Sequence, residues 1–147
     1  MTKHKYYPQL LVTLQFGIIG VMAILSKGFF SNLLALSIFI AGAILGIWAL
    51  THNRLGNFNI QPNLKENSTL ITTGIYSHIR HPMYSSVVVM MLAFVIATPI
   101  IMEALLWTLL IVVLVLKAKR EEYLWTNHNE EYKLYREKTK LFIPYIL

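Results

Sequence analysis

The residues best suited to chemistry lie together at positions 74–84, which read GIYSHIRHPMY. This run places Tyr76, Arg80, His81 and Tyr84 directly before an apolar segment at 87–97. Polar and ionisable groups at a membrane boundary are costly unless they are paired or bind a ligand. The run therefore predicts either a ligand site at the end of a membrane helix or an interfacial loop in which Arg80 and His81 contact lipid headgroups.

The residues around this run add neutral hydrogen-bonding side chains. They are Asn59, Gln61, Asn63, Ser68, Thr69, Thr72, Thr73 and Ser77. Such groups suit a polar, uncharged ligand such as a nucleoside. Gly74 allows a tight turn, and Pro82 suits the first position of a helix. We expect the N–H groups of Met83 and Tyr84 to be free at that helix terminus, which favours a carboxylate or another anion.

A second cluster, KAKREE, lies at 117–122. Lys117 and Glu121 are four residues apart and share a helix face. Glu121 and Glu122 point about 100° apart on a helix, so we expect Glu121 to face a site and Glu122 to be exposed. A carboxylate there could hold a cation or an amino group; the alternative is a basic membrane anchor with ordinary surface ion pairs. Cys is absent and no His and carboxylate set has metal-ligand spacing, so we expect no metal site.

These clusters flank four apolar stretches, at 10–25, 33–50, 83–97 and 100–116. With 56% hydrophobic and 14% charged residues, the chain is typical of an integral membrane protein. Thr98 and Pro99 separate the last two stretches and predict a helical hairpin, with one continuous helix as the alternative. Gly42 and Gly46 predict close helix packing. The predicted fold is an all-α integral membrane protein with four transmembrane helices and a cytoplasmic C-terminal helix.

The basic residues predict the orientation. Of the 13 Lys and Arg residues, four spans put 12 on one side and only Lys27 on the other, so both termini and the 52–82 loop should be cytoplasmic. These residues flank spans instead of forming a basic domain, which argues against nucleic-acid binding. We expect an ordered loop at 52–80 with a short helix near Ser77, and a helix that continues the fourth span. The chain should form one domain, with two spans in 1–56 and a ligand-binding core in 57–147.

Taken together, these motifs resemble the isoprenylcysteine carboxyl methyltransferase family in its broad sense, which includes small bacterial members and is related to membrane phospholipid methyltransferases. The matching segments are LITTGIY at 70–76, RHPMY at 80–84, the Glu pair at 121–122, YKLY at 132–135 and FIP at 142–144. The resemblance implies methyl transfer from S-adenosylmethionine to a lipid-like or membrane-partitioned small molecule, for example at a carboxylate. It also implies a multi-pass protein among membrane lipids, in a bacterial or archaeal inner membrane.

The resemblance carries the cofactor site onto positions of this chain. They are Gln61, Ser68, Thr69, Leu70, Ile71, Tyr76, His81, Pro82, Met83, Tyr84 and Glu121. Lys117 falls where the family usually has an Arg on the substrate side. Arg80 or Lys117 would then act in catalysis by steering an anionic acceptor.

Three departures from the family pattern leave alternatives open. Ser68 stands where the isoprenylcysteine enzymes commonly have His, and Lys117 lacks the bidentate grip of Arg. The tail carries HN at 128–129 in place of Phe-Gly, one residue short of the usual spacing, so Glu122 or Arg120 could take the role of Glu121. The rival functions are a non-catalytic membrane protein that retains the fold and a membrane reductase with a nicotinamide cofactor.

Overall fold

The computed structural model describes residues 6–53, 60–63 and 69–143, and the regular structure among them is helical. The α-helices are α1 (Tyr7–Leu25), α2 (Leu33–His52), α3 (Pro82–Ala97), α4 (Ile101–His128) and α5 (Glu131–Lys138). Among the described residues, 3-10 turns lie at Phe29–Ser31 and Gly74–Ser77, and the second confirms the short helix expected near Ser77. The described ranges contain no strand beyond a single bridge between Ile79 and Lys140. The predicted all-α class is confirmed.

In the part of the chain that the structure describes, three helices, α1, α2 and α4, are long and apolar enough to cross a membrane. They support the predicted integral membrane class. The fourth apolar helix, α3, has 16 residues, which corresponds to about 24 Å.

The chain breaks between α3 and α4, as the Thr98-Pro99 pair predicts. The first helix ends at Ala97 and the second begins at Ile101, so the alternative of one continuous helix is wrong. The two helices pack side by side, and the Trp107 Nε1–H of α4 donates to the Val88 carbonyl of α3 at 2.9 Å. Pro99 has no N–H with which to continue the helix, which explains the break.

Close packing of α2 on α3 depends on the two glycines of α2. A Cβ atom on Gly42 would lie 2.9 Å from the Met90 nitrogen and 3.1 Å from the Ser86 carbonyl oxygen. Ser86 Oγ donates to the Gly42 carbonyl at 2.7 Å. The packing role predicted for Gly42 and Gly46 is confirmed.

The core lies where α1 packs on α4. Leu11, Ile18 and Met22 of α1 are buried in one apolar cluster with Leu110 and Leu114 of α4. The antiparallel contact of these helices brings the start of α1 close to the polar end of α4.

Beyond its apolar part, α4 continues for about three turns to His128, which confirms the predicted extension. The helix then stops at Asn129, whose side-chain oxygen accepts the Glu131 N–H at 2.8 Å. The helix that follows, α5, buries Tyr132 and Tyr135. Asn favours such breaks because its side chain competes for backbone N–H groups.

Candidate ligand pocket at the start of α3

A pocket opens beside the amino-terminal end of α3. It contains about 830 Å³ of space between atoms, including the part open to solvent. Its walls come from the 60–63 segment, the 69–71 segment, the turn at Gly74–Ser77, the start of α3, the polar part of α4, and α5. The pocket therefore joins segments that are far apart in the sequence.

Most of the predicted site residues line this one pocket. Ten of the eleven predicted cofactor residues are on its wall, and so is Arg80. The remaining one, Ser68, lies outside the described residues. Lys117 is not on the wall. The wall also contains Asn63, one of the neutral hydrogen-bonding groups expected to suit a polar ligand, and residues that were not predicted as site residues: Asn53, Trp125, Tyr132 and Tyr135.

The turn at Gly74–Ser77 delivers Tyr76 to the wall. Gly74 has a φ of +60°, and the imidazole of His52 occupies the space that a Cβ atom would need. Only glycine meets both demands without strain. The Tyr76 N–H donates to the Thr73 carbonyl at 3.2 Å, which closes the tight turn predicted at Gly74.

Pro82 occupies the first turn of α3, as predicted. The preceding residue, His81, uses its carbonyl oxygen to accept the N–H groups of Tyr84 at 3.0 Å and Ser85 at 3.1 Å. The expectation that the Tyr84 N–H is free for an anion is therefore wrong. The His81 carbonyl already supplies the partner that this helix terminus needs.

The C-terminal segment holds the 78–85 region in place from the side. The Arg80 N–H donates to the Lys140 carbonyl at 2.8 Å and the His81 N–H to the Leu141 carbonyl at 3.1 Å. Ser85 Oγ donates to the Phe142 carbonyl at 2.6 Å. These bonds fix the backbone of the Arg80-His81 pair, so the position of this part of the wall depends on residues about 60 positions further along the chain.

Arg80 and Glu122 form a buried ion pair beside the pocket. Arg80 Nε donates to Glu122 Oε1 at 2.5 Å, and the side chains are 10% and 7% exposed. Arg136 Nε lies 3.6 Å from the other oxygen of Glu122. The Arg80 guanidinium also donates to the backbone carbonyls of Arg136 and Thr139. The expected exposure of Glu122 is wrong, because the start of α3 and the C-terminal segment cover this face of α4.

Glu121 faces the pocket from the next position of α4. Its Oε1 accepts a short hydrogen bond from the Tyr84 hydroxyl, and its side chain is 21% exposed. His81 lies between the two carboxylates, with Nδ1 3.5 Å from Glu121 Oε2 and Nε2 3.5 Å from Glu122 Oε1. The adjacent glutamates thus have different surroundings: Glu122 has two arginine partners, and Glu121 has a neutral hydroxyl donor.

Burial alone would lower the pKa of His81, because it disfavours the charged imidazolium. The negative charges of Glu121 and Glu122, each with an oxygen 3.5 Å from an imidazole nitrogen, outweigh burial and raise the pKa of His81 above its ordinary value of 6.5. Burial raises the pKa of Tyr76 to about 12, and it also raises the pKa of Tyr132. The pocket therefore favours an imidazolium at His81 and keeps both tyrosine hydroxyls protonated at neutral pH.

Lys117 lies behind the wall. Its side chain is buried, and Nζ donates to Gln15 Oε1 at 2.6 Å and to the Ile60 carbonyl at 3.1 Å. Nζ also lies 5.1 Å from the centroid of the Tyr84 ring. Lys117 is therefore separated from the pocket by one side chain, that of Tyr84.

Aromatic residues of α4 and α5 form the opposite part of the wall. Trp125 stacks on Tyr132 with ring centroids 5.9 Å apart, and Tyr132 meets Tyr135 edge-on at 5.7 Å. The Tyr135 hydroxyl donates to the Tyr76 carbonyl at 2.7 Å. One signal in the sequence was available: Trp125 follows Glu121 by four residues, which places both on one helix face.

No curated protein and no solved structure matches the chain. The family model for phospholipid methyltransferases matches residues 30–132. This segment contains α2, α3, α4 and much of the pocket wall, and leaves out α1. Because the match covers 103 of 147 residues (30 to 132 inclusive), the chain belongs to the phospholipid methyltransferase family.

Proposed function

We propose that this protein transfers the methyl group of S-adenosylmethionine to a lipid or another membrane-partitioned small molecule. The observation that carries the proposal is the meeting of the 80–84 motif and Glu121 at one pocket, lined by both polar and apolar side chains, beside the apolar helices. Membership in a family of phospholipid methyltransferases supports methyl transfer and a lipid-like acceptor.

The side chains of the pocket fit the parts of this cofactor. Gln61 and Thr69 are neutral partners for a purine edge and sugar hydroxyls. Glu121 offers negative charge to the sulfonium and amino groups, and the raised pKa of His81 favours a cation that matches a carboxylate. The ring of Trp125 suits a purine face or a cationic centre. Each charged part of the ligand therefore has a group of opposite charge or an aromatic face on the wall.

When bound, S-adenosylmethionine would supply an electrophilic methyl group: the lone pair of the acceptor would form a bond to the methyl carbon as the carbon–sulfur bond breaks in line, and S-adenosylhomocysteine would leave with that electron pair. The residues of the chain align the reactants and exclude water. The Tyr84 hydroxyl fixes the Glu121 carboxylate on the wall. The Arg80–Glu122 pair fixes the start of α3 against α4. We assign Arg80 a positioning role, because its guanidinium is already bound to Glu122 and to backbone carbonyls.

Lys117 is our candidate for the acceptor side. Its ammonium is one side chain removed from the pocket, against the Tyr84 ring. A cation in this position attracts an acceptor that carries an anionic group, such as a phosphate or a carboxylate. A carboxylate acceptor needs no general base, whereas an amine or a hydroxyl acceptor must lose a proton.

We further propose four spans, with α3 as the shortest and both termini cytoplasmic. The pocket would then lie at the cytoplasmic end of the helices, on the side with 12 of the 13 basic residues. All helices would belong to one domain, because α2 packs directly on α3. A pocket so placed can receive a water-soluble cofactor from one side and an apolar acceptor from the bilayer.

Calorimetric titration of the purified chain in detergent tests the cofactor. We expect saturable binding of S-adenosylmethionine and of its demethylated product, S-adenosylhomocysteine, and none of NADPH. Binding of NADPH alone would favour the rival reductase. No heat and no thermal shift with millimolar S-adenosylmethionine would contradict the methyltransferase proposal and favour a non-catalytic role.

A further inference from the structure

The first helix contains one buried polar side chain, Gln15. It is 7% exposed and lies between Leu11 and Ile18 on the face of α1 that packs against α4. A buried amide in an apolar helix is costly unless its polar atoms are bonded. Its oxygen accepts a hydrogen bond from Lys117 Nζ at 2.6 Å, from a residue 102 positions away. Gln15 lies outside the segment matched by the family model, residues 30–132, whereas Lys117 lies within it.

Lys117 is a buried cation held by neutral groups. The side chain is 2% exposed, and among the described residues its Nζ contacts the Gln15 amide oxygen, the Ile60 carbonyl and the face of the Tyr84 ring. The ion pairs found among the described residues do not include Lys117. Neutral acceptors hold an ammonium in place without cancelling its charge. Burial lowers the pKa of Lys117, and the nearby negative charge of Glu121 opposes this shift and favours the ammonium. The amine lies next to a residue of the pocket wall, Tyr84.

We propose that Gln15 is a positioning residue, which holds the Lys117 ammonium against the Tyr84 ring so that its charge acts on the methyl acceptor. This inference rests on the proposed function of the pocket. It gives α1 a part in the reaction, although Gln15 does not line the pocket.

Replacing Gln15 by Leu should separate this role from packing. Leu has a similar size and suits an apolar helix, so α1 should still pack on α4. The ammonium would lose its shortest hydrogen bond, and the flexible lysine stem would let it leave the Tyr84 ring. We expect a higher apparent KM for the acceptor. The affinity for the cofactor should not change, because the charged groups at the pocket are not altered.

The experiment uses the full chain in vesicles of phosphatidylethanolamine and phosphatidylglycerol, with a donor that carries an isotope-labelled methyl group. The rate at which label enters the lipid is measured as the fraction of phosphatidylethanolamine in the vesicles is varied. The affinity for the cofactor is measured by calorimetry. We expect Gln15→Leu to raise the apparent KM for lipid about tenfold, the size expected for one hydrogen bond to a charged group. The cofactor Kd should change less than about twofold on the same grounds.

Two further variants make the test specific. In a Lys117→Met background, Gln15→Leu should have no further effect, because a residue that acts through Lys117 has nothing left to position. Ile18→Ala loosens the same helix contact without touching the ammonium, and it should leave the KM for lipid unchanged. Additive effects of Gln15→Leu and Lys117→Met, or an equal KM change in Ile18→Ala, would overturn the positioning role and leave only packing.

The remaining outcomes separate this inference from the proposed function. A wild-type protein that binds the cofactor but labels no lipid would overturn both the lipid acceptor and the positioning role. A wild-type protein that labels lipid, with a Gln15→Leu variant of unchanged KM, would overturn the positioning role alone.

Discussion

Glu122→Gln removes one negative charge from a buried cluster and keeps the shape of the side chain. Glu122 is paired with Arg80 at 2.5 Å and lies 3.6 Å from Arg136. Breaking a buried ion pair typically costs about 3–5 kcal/mol. The lower end applies here, because Arg80 keeps its bonds to the carbonyls of Arg136 and Thr139. About 3 kcal/mol corresponds to a fall in Tm of roughly 6–12 °C for a chain of this size.

Glu121→Gln makes the same chemical change one residue earlier, but we expect it to weaken cofactor binding more than it lowers stability. The amide oxygen can still accept the Tyr84 hydroxyl, so the loss of stability should be about 1 kcal/mol or less. The lost charge faces the pocket instead. A charge-assisted contact to a cationic ligand is worth about 1.5–3 kcal/mol, which corresponds to a loss of affinity of about tenfold or more.

Thermal unfolding in detergent and calorimetry with S-adenosylmethionine measure the two effects on the same samples. Glu130→Gln is the matched control, because its side chain is 85% exposed and pairs only with Lys133 among the described residues. This control should change stability by less than about 0.5 kcal/mol and leave affinity unchanged. A Glu122→Gln protein as stable as wild type would refute the holding role of the ion pair. A Glu121→Gln protein with wild-type affinity would refute the assignment of Glu121 to the cofactor.

Three further predictions follow from the described contacts. Gly42→Ala should cost about 1–3 kcal/mol, because its Cβ would meet backbone atoms of α3, whereas Gly17→Ala, with no atom within 4 Å, should not destabilise; equal unfolding midpoints would contradict this packing. Because the fold raises the pKa of His81, the protonated imidazole contributes its full stabilisation below pH 6.5. This contribution is lost as the pH rises through the raised pKa. The stability difference between wild type and His81→Gln should therefore shrink above pH 6.5, and a difference independent of pH would exclude the imidazolium. Reporter fusions at Lys27 and Leu147 should report opposite sides of the membrane; the same side for both would exclude four spans.

Local chemistry explains why much of the pocket wall could be predicted. Gly74 and Pro82 act on the backbone at their own positions, through a positive φ and a missing N–H. The break at Pro99 has the same local origin. Wall residues such as His81 and Tyr84 follow one another in a single motif, so a resemblance that covers the motif covers them together.

The contacts that hold the wall have no comparable signal in the sequence. The carbonyls of Lys140, Leu141 and Phe142 accept hydrogen bonds from the start of α3, and a backbone carbonyl is the same for every residue type. The side chain of Gln15 looks like an isolated polar residue in an apolar helix until α1 packs against α4. Glu122 was expected to be exposed, because a helical wheel gives the angle between neighbours and not what covers each face.

The two charged dipeptides, Arg80-His81 and Glu121-Glu122, have the same arrangement of structural and pocket-lining residues. Within each pair, one residue forms the ion pair and its neighbour lines the pocket: Arg80 binds Glu122, and His81 and Glu121 are on the wall, to which Arg80 also contributes. The backbone makes this division possible, because His81 at φ −124° and ψ 57° precedes the helix, and helical neighbours point about 100° apart. Since the ion pair fixes α3 against α4, it also fixes the distance between His81 and Glu121 one residue away. Adjacency in the sequence therefore couples the two pocket groups to the ion pair through a single peptide unit on each side.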